Sequence, residues 1–206
     1  MIGVYNYTVV LTYLSFMSAL IGIYFSVNGN TFIGIICLMI SGLCDMFDGT
    51  VARTKKNRTE NEKKFGIELD SLSDLVAFGV LPSAIGVGLG IEKTIFAFVL
   101  FLFPLCALIR LAYFNVSETE RTSKTTESRK EYLGLPVTTS AIILPIVYFL
   151  KKFLPNIFIY IYSISLFVVA ILFIKKFRMI KLHGKGLIVL TILGAVIFGI
   201  LMIIYI

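Results

Sequence analysis

The sequence predicts an all-α, polytopic transmembrane helical bundle, and three observations carry that prediction. Hydrophobic residues make up 58% of the 206-residue chain, against roughly 45–50% in a soluble domain. They fall in runs that approach or exceed the roughly 20 residues a bilayer crossing needs, and they raise the mean hydropathy to +0.93. The basic residues, which leave a formal net charge of +7, cluster in alternate segments between those runs.

Taken in order, the apolar runs place about seven spans at roughly 4–27, 31–53, 67–90, 93–115, 135–150, 154–174 and 186–206. Six to eight bracket that count, because Lys151, Lys152 and Pro155 interrupt the region 135–174. The first run has no basic residue before it and no small-residue cleavage site after it, so it reads as a retained helix rather than a signal peptide. The segment 53–65 carries Arg53, Lys55, Lys56, Arg58, Lys63 and Lys64; 116–134 adds Arg121, Lys124, Arg129 and Lys130; 175–185 adds Lys175, Lys176, Arg178, Lys181 and Lys185. The opposite side holds only Lys93, Lys151 and Lys152. This asymmetry predicts a multi-pass protein of the cell membrane with a cytoplasmic N-terminus. With five prolines and no low-complexity tract, residues 1–206 read as a single integral-membrane domain.

Composition also narrows function. The basic clusters suit topology and anionic headgroups, and no aromatic-plus-basic stretch of the kind that stacks bases is present, which argues against nucleic acid. Cys37, Cys44 and Cys106 lie in apolar runs without CxxC spacing and read as small hydrophobes. The single histidine, His183, sits in a basic loop and reads as solvated.

The chemistry concentrates elsewhere. The chain's four aspartates fall in Asp45-x-x-Asp48-Gly49-x-x-Ala52-Arg53 and Gly66-x-x-x-Asp70-x-x-x-Asp74, at the edges of apolar runs. An ionised carboxylate near hydrocarbon is costly and marks function by default. Spacings of i, i+3 and i, i+4 put each pair on one helix face, so the four can converge near the cytoplasmic surface. Carboxylate oxygens suit Mg2+ or Mn2+, and two such ions bridged by shared carboxylates would clamp a phosphoryl or pyrophosphoryl group. Gly49, Ala52 and Gly66 leave room for a bulky ligand against the backbone, and Arg53 is placed for a phosphate.

These two segments together resemble the signature of the CDP-alcohol phosphatidyltransferases, integral membrane enzymes that use a CDP-linked donor and release CMP. Glu68-Leu69-Asp70-Ser71-Leu72-Ser73-Asp74-Leu75-Val76-Ala77-Phe78-Gly79-Val80-Leu81-Pro82-Ser83 is similar to the phosphatidylserine synthase branch, as are Arg110-Leu111-Ala112-Tyr113-Phe114-Asn115 and Leu133-Gly134-Leu135-Pro136-Val137-Thr138-Thr139. Two departures stand out: twelve residues separate Arg53 from Gly66 where the family has about eight, and Thr12 is flanked by Val9 and Ser15 where the family tends to carry Asn.

The resemblance implies a metal-dependent transfer of a phosphatidyl group from CDP-diacylglycerol to L-serine. Asp45, Asp48 and Asp70 would hold one metal ion, and Asp45, Asp70 and Asp74 the other. Gly49, Ala52, Arg53, Thr59 and Gly66 would contact CDP, and Asp74 would serve as general base. Arg110, inside a span, needs an anionic partner such as a lipid phosphate or the serine carboxylate, while Asn115, Thr138 and Thr139 are candidates for the acceptor pocket. Ser71 and Ser73, beside Asp70, are candidates for orienting its carboxylate. Glycerol 3-phosphate or inositol phosphate as acceptor, an archaeal ether lipid as donor, and a divalent-cation transporter remain alternatives. The expected partners are CDP-diacylglycerol, L-serine and membrane lipids. A homodimer is compatible with a membrane enzyme of this size, although no face is marked for it.

Overall fold

The computed structural model describes residues 2–124, 131–180 and 185–205, and these form seven helical rods. A 3-10 turn leads into α1 (Val10–Val27), followed by α2 (Thr31–Thr54). The third rod runs from α3 (Glu60–Asp74) through a π-helical segment (Leu75–Val80) into α4 (Leu81–Gly88). Then come α5 (Val99–Lys124), α6 (Ser140–Phe149), α7 (Phe158–Ile174) and α8 (Lys185–Tyr205). One rod stands at each of the seven expected apolar runs, but α5 continues to Lys124, nine residues past the expected end at 115 and into the segment read as a connection. Four stretches, Tyr7–Val27, Thr31–Thr54, Glu60–Gly88 and Ile95–Arg121, are long and apolar enough to cross a membrane. Of the later rods, α6 is the shortest, with ten residues, about 15 Å of helix, hemmed in by Pro136 on one side and by Lys151 and Lys152 on the other.

The third rod starts a full turn and more before the expected residue 67. The 53–65 segment, read from sequence as a dozen-residue connection, contains only residues 55–59 as loop. The cause is a capping box. Glu62 N donates to Thr59 Oγ1 at 3.2 Å, and Thr59 N donates back to Glu62 Oε2 at 2.8 Å. The other carboxylate oxygen of Glu62 accepts from Lys55 Nζ at 2.6 Å and from Asn6 Nδ2 at 2.9 Å. One carboxylate therefore ties the N-terminal segment, the end of α2 and the start of α3 together. Further along the rod, the π segment begins immediately after Asp74, where Leu81 N donates to Val76 O, and it precedes Pro82, which has no N–H to give an α-helical bond.

Small residues set the helix spacing. At Gly22 a Cβ would lie 2.7 Å from Cys37 Cβ and 2.9 Å from Leu81 Cδ1, so the close approach of α1, α2 and α4 requires glycine there. Ser41 Oγ donates to Ser15 O at 3.0 Å, and Ser18 Oγ to Cys37 O at 3.1 Å, satisfying hydroxyls across the α1–α2 contact. The core collects Phe78, Leu81 and Ile85 from the third rod, Phe103 and Ala107 from α5, Leu144 and Tyr148 from α6, and Tyr162, Leu166 and Phe173 from α7. Leu14, Met17, Ile21 and Tyr24 on α1 and Ile164, Phe167, Val168 and Ile171 on α7 face outward, the apolar stripes expected of surfaces that meet lipid. Cys37 and Cys106 are buried and Cys44 half-buried, all as free thiols. His183 lies outside the described residues.

At the end of the bundle away from the aspartates, Lys151 Nζ donates to Thr31 Oγ1 and Tyr148 Oη, each at 3.1 Å, and burial pushes its pKa down. At the aspartate end, two short strands extend the helical fold: β1 (Glu131–Leu133) pairs antiparallel with β2 (Arg178–Ile180), Tyr132 opposite Met179. Gly134 follows with φ +80°, its N donating to Phe177 O at 2.8 Å. A Cβ there would lie 3.1 Å from Lys175 O and 3.2 Å from Phe173 O, so the turn needs glycine for both conformation and space.

Replacing Glu62 with Ala removes the cap and both long-range contacts. The thermal midpoint in detergent is expected to fall by several degrees; an unchanged midpoint would contradict the three-way tie.

Candidate metal centre and its pocket

Helix α2 presents Asp45 and Asp48 one turn apart, and α3 presents Asp70 and Asp74. Folding brings one oxygen each of Asp45, Asp70 and Asp74 within 4.8 Å of one another. Asp48 lies within hydrogen-bonding reach of Asp70 and accepts from Thr12 Oγ1 at 3.1 Å. Asp74 is 8% exposed. The ion pairs among the described residues, Lys55–Glu62, Lys63–Glu60 and Arg121–Glu118, involve none of the four.

Clustered carboxylates of this kind repel one another, and Asp70 Oδ1 is fully buried with no hydrogen-bond partner among the described residues. An orphaned anionic oxygen inside a group of carboxylates is the donor set a hard divalent cation takes. The residues present therefore fit a metal site.

A cavity of about 200 Å³ opens onto three of these aspartates. Asp45, Asp70 and Asp74 form one side, and Arg110, Thr138 and the apolar Leu111, Phe114, Pro136 and Val137 complete the lining. Arg110 is 6% exposed. Its Nε donates to Leu135 O at 3.0 Å and its guanidinium lies 5.6 Å from the Phe114 ring centroid, which holds the side chain in place. A larger cavity of about 430 Å³ borders Val80, Ala84, Leu100 and Pro104; its lining is largely apolar and includes none of the aspartates.

The remaining sequence candidates divide. At Gly49 a Cβ would meet only Arg53 Nη1, at 3.9 Å, so the backbone there is open. Ala52 is half-buried beside it, and Arg53 is exposed, its Nη2 3.4 Å from Thr50 Oγ1. Thr59 is engaged as the cap of α3, and Gly66 lies under the Arg58 side chain, whose Nη2 would be 2.8 Å from a Cβ. Thr138 lines the pocket, whereas Thr139 Oγ1 donates to Pro136 O at 2.6 Å and Asn115 Nδ2 donates to Ser71 Oγ at 2.8 Å. Ser73 Oγ donates to Thr12 O at 3.3 Å rather than to an aspartate. The contact that sequence reasoning did not anticipate is Thr12 on Asp48. A threonine in an apolar run that also carries Thr8 and Ser15 is its only local sign.

Stripped of metal, Asp70→Asn is expected to melt at or above the unsubstituted chain, because it removes one charge from the cluster. Added Mn2+ is expected to raise the melting temperature of the unsubstituted chain and to leave Asp70→Asn unmoved. Equal Mn2+ shifts in both would contradict the site.

The chain is 41% identical over 117 residues to the CDP-diacylglycerol–serine O-phosphatidyltransferase of Saccharomyces cerevisiae, covering 55% of this chain and 41% of the yeast protein. The Helicobacter pylori protein of the same name is 38% identical over 109 residues, 52% of this chain and 41% of that one. The archaetidylserine synthase of Methanothermobacter thermautotrophicus is 32% identical over 133 residues, 64% and 53% respectively. The chain thus spans about two fifths to one half of the length of these curated relatives. A family model described as CDP-alcohol phosphatidyltransferase matches residues 5–174, which include all four aspartates and every residue lining the pocket. The chain belongs to the CDP-alcohol phosphatidyltransferase family.

Proposed function

We propose that this chain transfers a phosphatidyl group from CDP-diacylglycerol to L-serine, forming phosphatidylserine and CMP, at a site on the cytoplasmic side of the cell membrane. The observation that carries the reading is the single pocket in which Asp45, Asp70 and Asp74 share a lining with the buried Arg110. The yeast and Helicobacter pylori relatives, both CDP-diacylglycerol–serine O-phosphatidyltransferases by name, support serine as acceptor. The basic clusters at 53–65, 116–134 and 175–185 support the orientation.

Asp45, Asp48, Asp70 and Asp74 would hold two divalent ions, Mg2+ or Mn2+, whose charge offsets that of the phosphates and of departing CMP. Gly49 and Ala52 leave backbone accessible for the CDP half, with Arg53 at its phosphates, and Gly66 lies next to that half under the Arg58 side chain. Arg110, fixed by Leu135 O and Phe114, offers its guanidinium to the serine carboxylate. Thr138 offers a hydroxyl to the same ligand. Asp74 accepts the proton of the serine hydroxyl. The serine oxygen then bonds to the phosphorus that carries diacylglycerol, and the bond from that phosphorus to CMP breaks, leaving the electron pair and negative charge on CMP. No Cys–His or Ser–His pair is evident in the sequence for a covalent route, which favours direct displacement.

The archaetidylserine synthase relative favours a second reading in the donor alone, an ether lipid in place of the ester. Family membership favours transfer over cation transport.

CMP release by purified chain in detergent tests the proposal, with serine, glycerol 3-phosphate, inositol phosphate or no acceptor, and with ester and ether donors in parallel. Serine-dependent release is expected, reduced about 100-fold or more in Asp74→Asn. Release supported only by another acceptor would overturn the serine assignment. Arg110→Lys is expected to raise the KM for serine about tenfold, because an ammonium cannot pair with a carboxylate through a planar fork; an unchanged KM would move Arg110 to another role.

A further inference from the structure

Arg58 stands outside every role assigned so far. It lies in the loop 55–59 between α2 and α3, half-buried. A guanidinium carries five N–H donors. Among the described residues, the bond Arg58 makes is from Nη2 to Glu62 O, at 3.2 Å. Its Nε is buried from solvent with no partner among the described residues, and the ion pairs nearby belong to Lys55 and Lys63. A buried unpaired donor on a cation is costly and calls for an acceptor.

Its position says which acceptor. The guanidinium lies against the bare Cα of Gly66, with Nη2 2.8 Å from where a Cβ would stand. Gly66, Asp70 and Asp74 follow one another at i, i+4 and i+8 along one face of the rod. Arg58 therefore sits on the aspartate face, one turn beyond Asp70 toward the loop, at the glycine where the backbone is bare. An anionic ligand reaching from the aspartates toward the end of α2 passes this guanidinium.

We propose that Arg58 binds a phosphate of the nucleotide half of the donor, as a second guanidinium beside Arg53. This rests on the proposed function. The Thr59–Glu62 cap anchors the loop that carries it, and a planar fork suits adjacent phosphate oxygens. The same chemistry fits the phosphate of an anionic lipid headgroup, and the test separates the two.

Titration of the full chain in detergent with CDP, in the presence of Mn2+, measures the contact directly. R58Q is expected to weaken CDP binding about tenfold, with R58K recovering only part of the loss and the melting temperatures little changed. Equal CDP affinity in R58Q and the unsubstituted chain would overturn the inference while leaving the family reaction intact. A lowered melting temperature with unchanged affinity would make Arg58 a loop-packing residue and also overturn it. If R58Q fails to fold, unchanged CDP affinity in R58K does the same. Unchanged CDP affinity, with loss only of the stimulation of turnover by phosphatidylglycerol vesicles, would assign Arg58 to the headgroup instead. Failure of the unsubstituted chain to bind CDP and to release CMP would overturn the proposed function itself.

Discussion

Mutual repulsion among four carboxylates at the edge of a low-dielectric bundle is the constraint on which this structure turns. Two unit charges 4 Å apart interact by about 4 kcal/mol at an effective dielectric constant of 20, and Asp45, Asp70 and Asp74 bring oxygens within 4.8 Å of one another. Helix packing alone does not relieve that repulsion, since the ion pairs among the described residues lie elsewhere. A bound divalent cation would reverse its sign. It would turn an arrangement that opposes folding into one that binds a ligand, and the orphaned Asp70 Oδ1 is where that need is plainest.

The surrounding fold serves to hold these groups in register. Glycine at position 22 lets α1, α2 and α4 close on one another, and Thr12 on α1 fixes Asp48 from the side. Glu62 ties the loop between the two aspartate helices to Asn6 and Lys55. The opposite wall comes from sequence far away: Arg110 hangs on the Leu135 carbonyl, and Leu135 is placed by Gly134 and the β1–β2 pair. One wall thus supplies acid from two adjacent helices, and the other supplies a guanidinium held by a strap joining two distant connections. The position of the cation side relative to the acid side depends on that strap.

Much of this was legible in the residues. The aspartate spacings place each pair on one helix face, and the apolar runs correspond to the seven rods. The early start of α3 was also readable, since Thr59-x-x-Glu62 is a capping-box pattern, but the surrounding basic residues mimic a solvated loop. Other features had no local sign. Glu131–Leu133 and Arg178–Ile180 pair across more than forty residues of helix and turn, and three-residue strands carry no periodicity to detect. Asn115 and Thr139 looked like pocket residues from their place in the segments 110–115 and 133–139, yet the amide and the hydroxyl find partners in Ser71 and in Pro136 O. Which of several polar side chains near a site faces it is decided by packing, and packing is not local.

Electron paramagnetic resonance of Mn2+ titrated into the metal-stripped chain tests the account at its centre. Two bound ions per chain with spin–spin coupling between them are expected, because ions sharing these carboxylates would lie only a few ångströms apart. A single uncoupled ion, or no saturable binding, would contradict the claim that the aspartates form one bridged pair of metal sites.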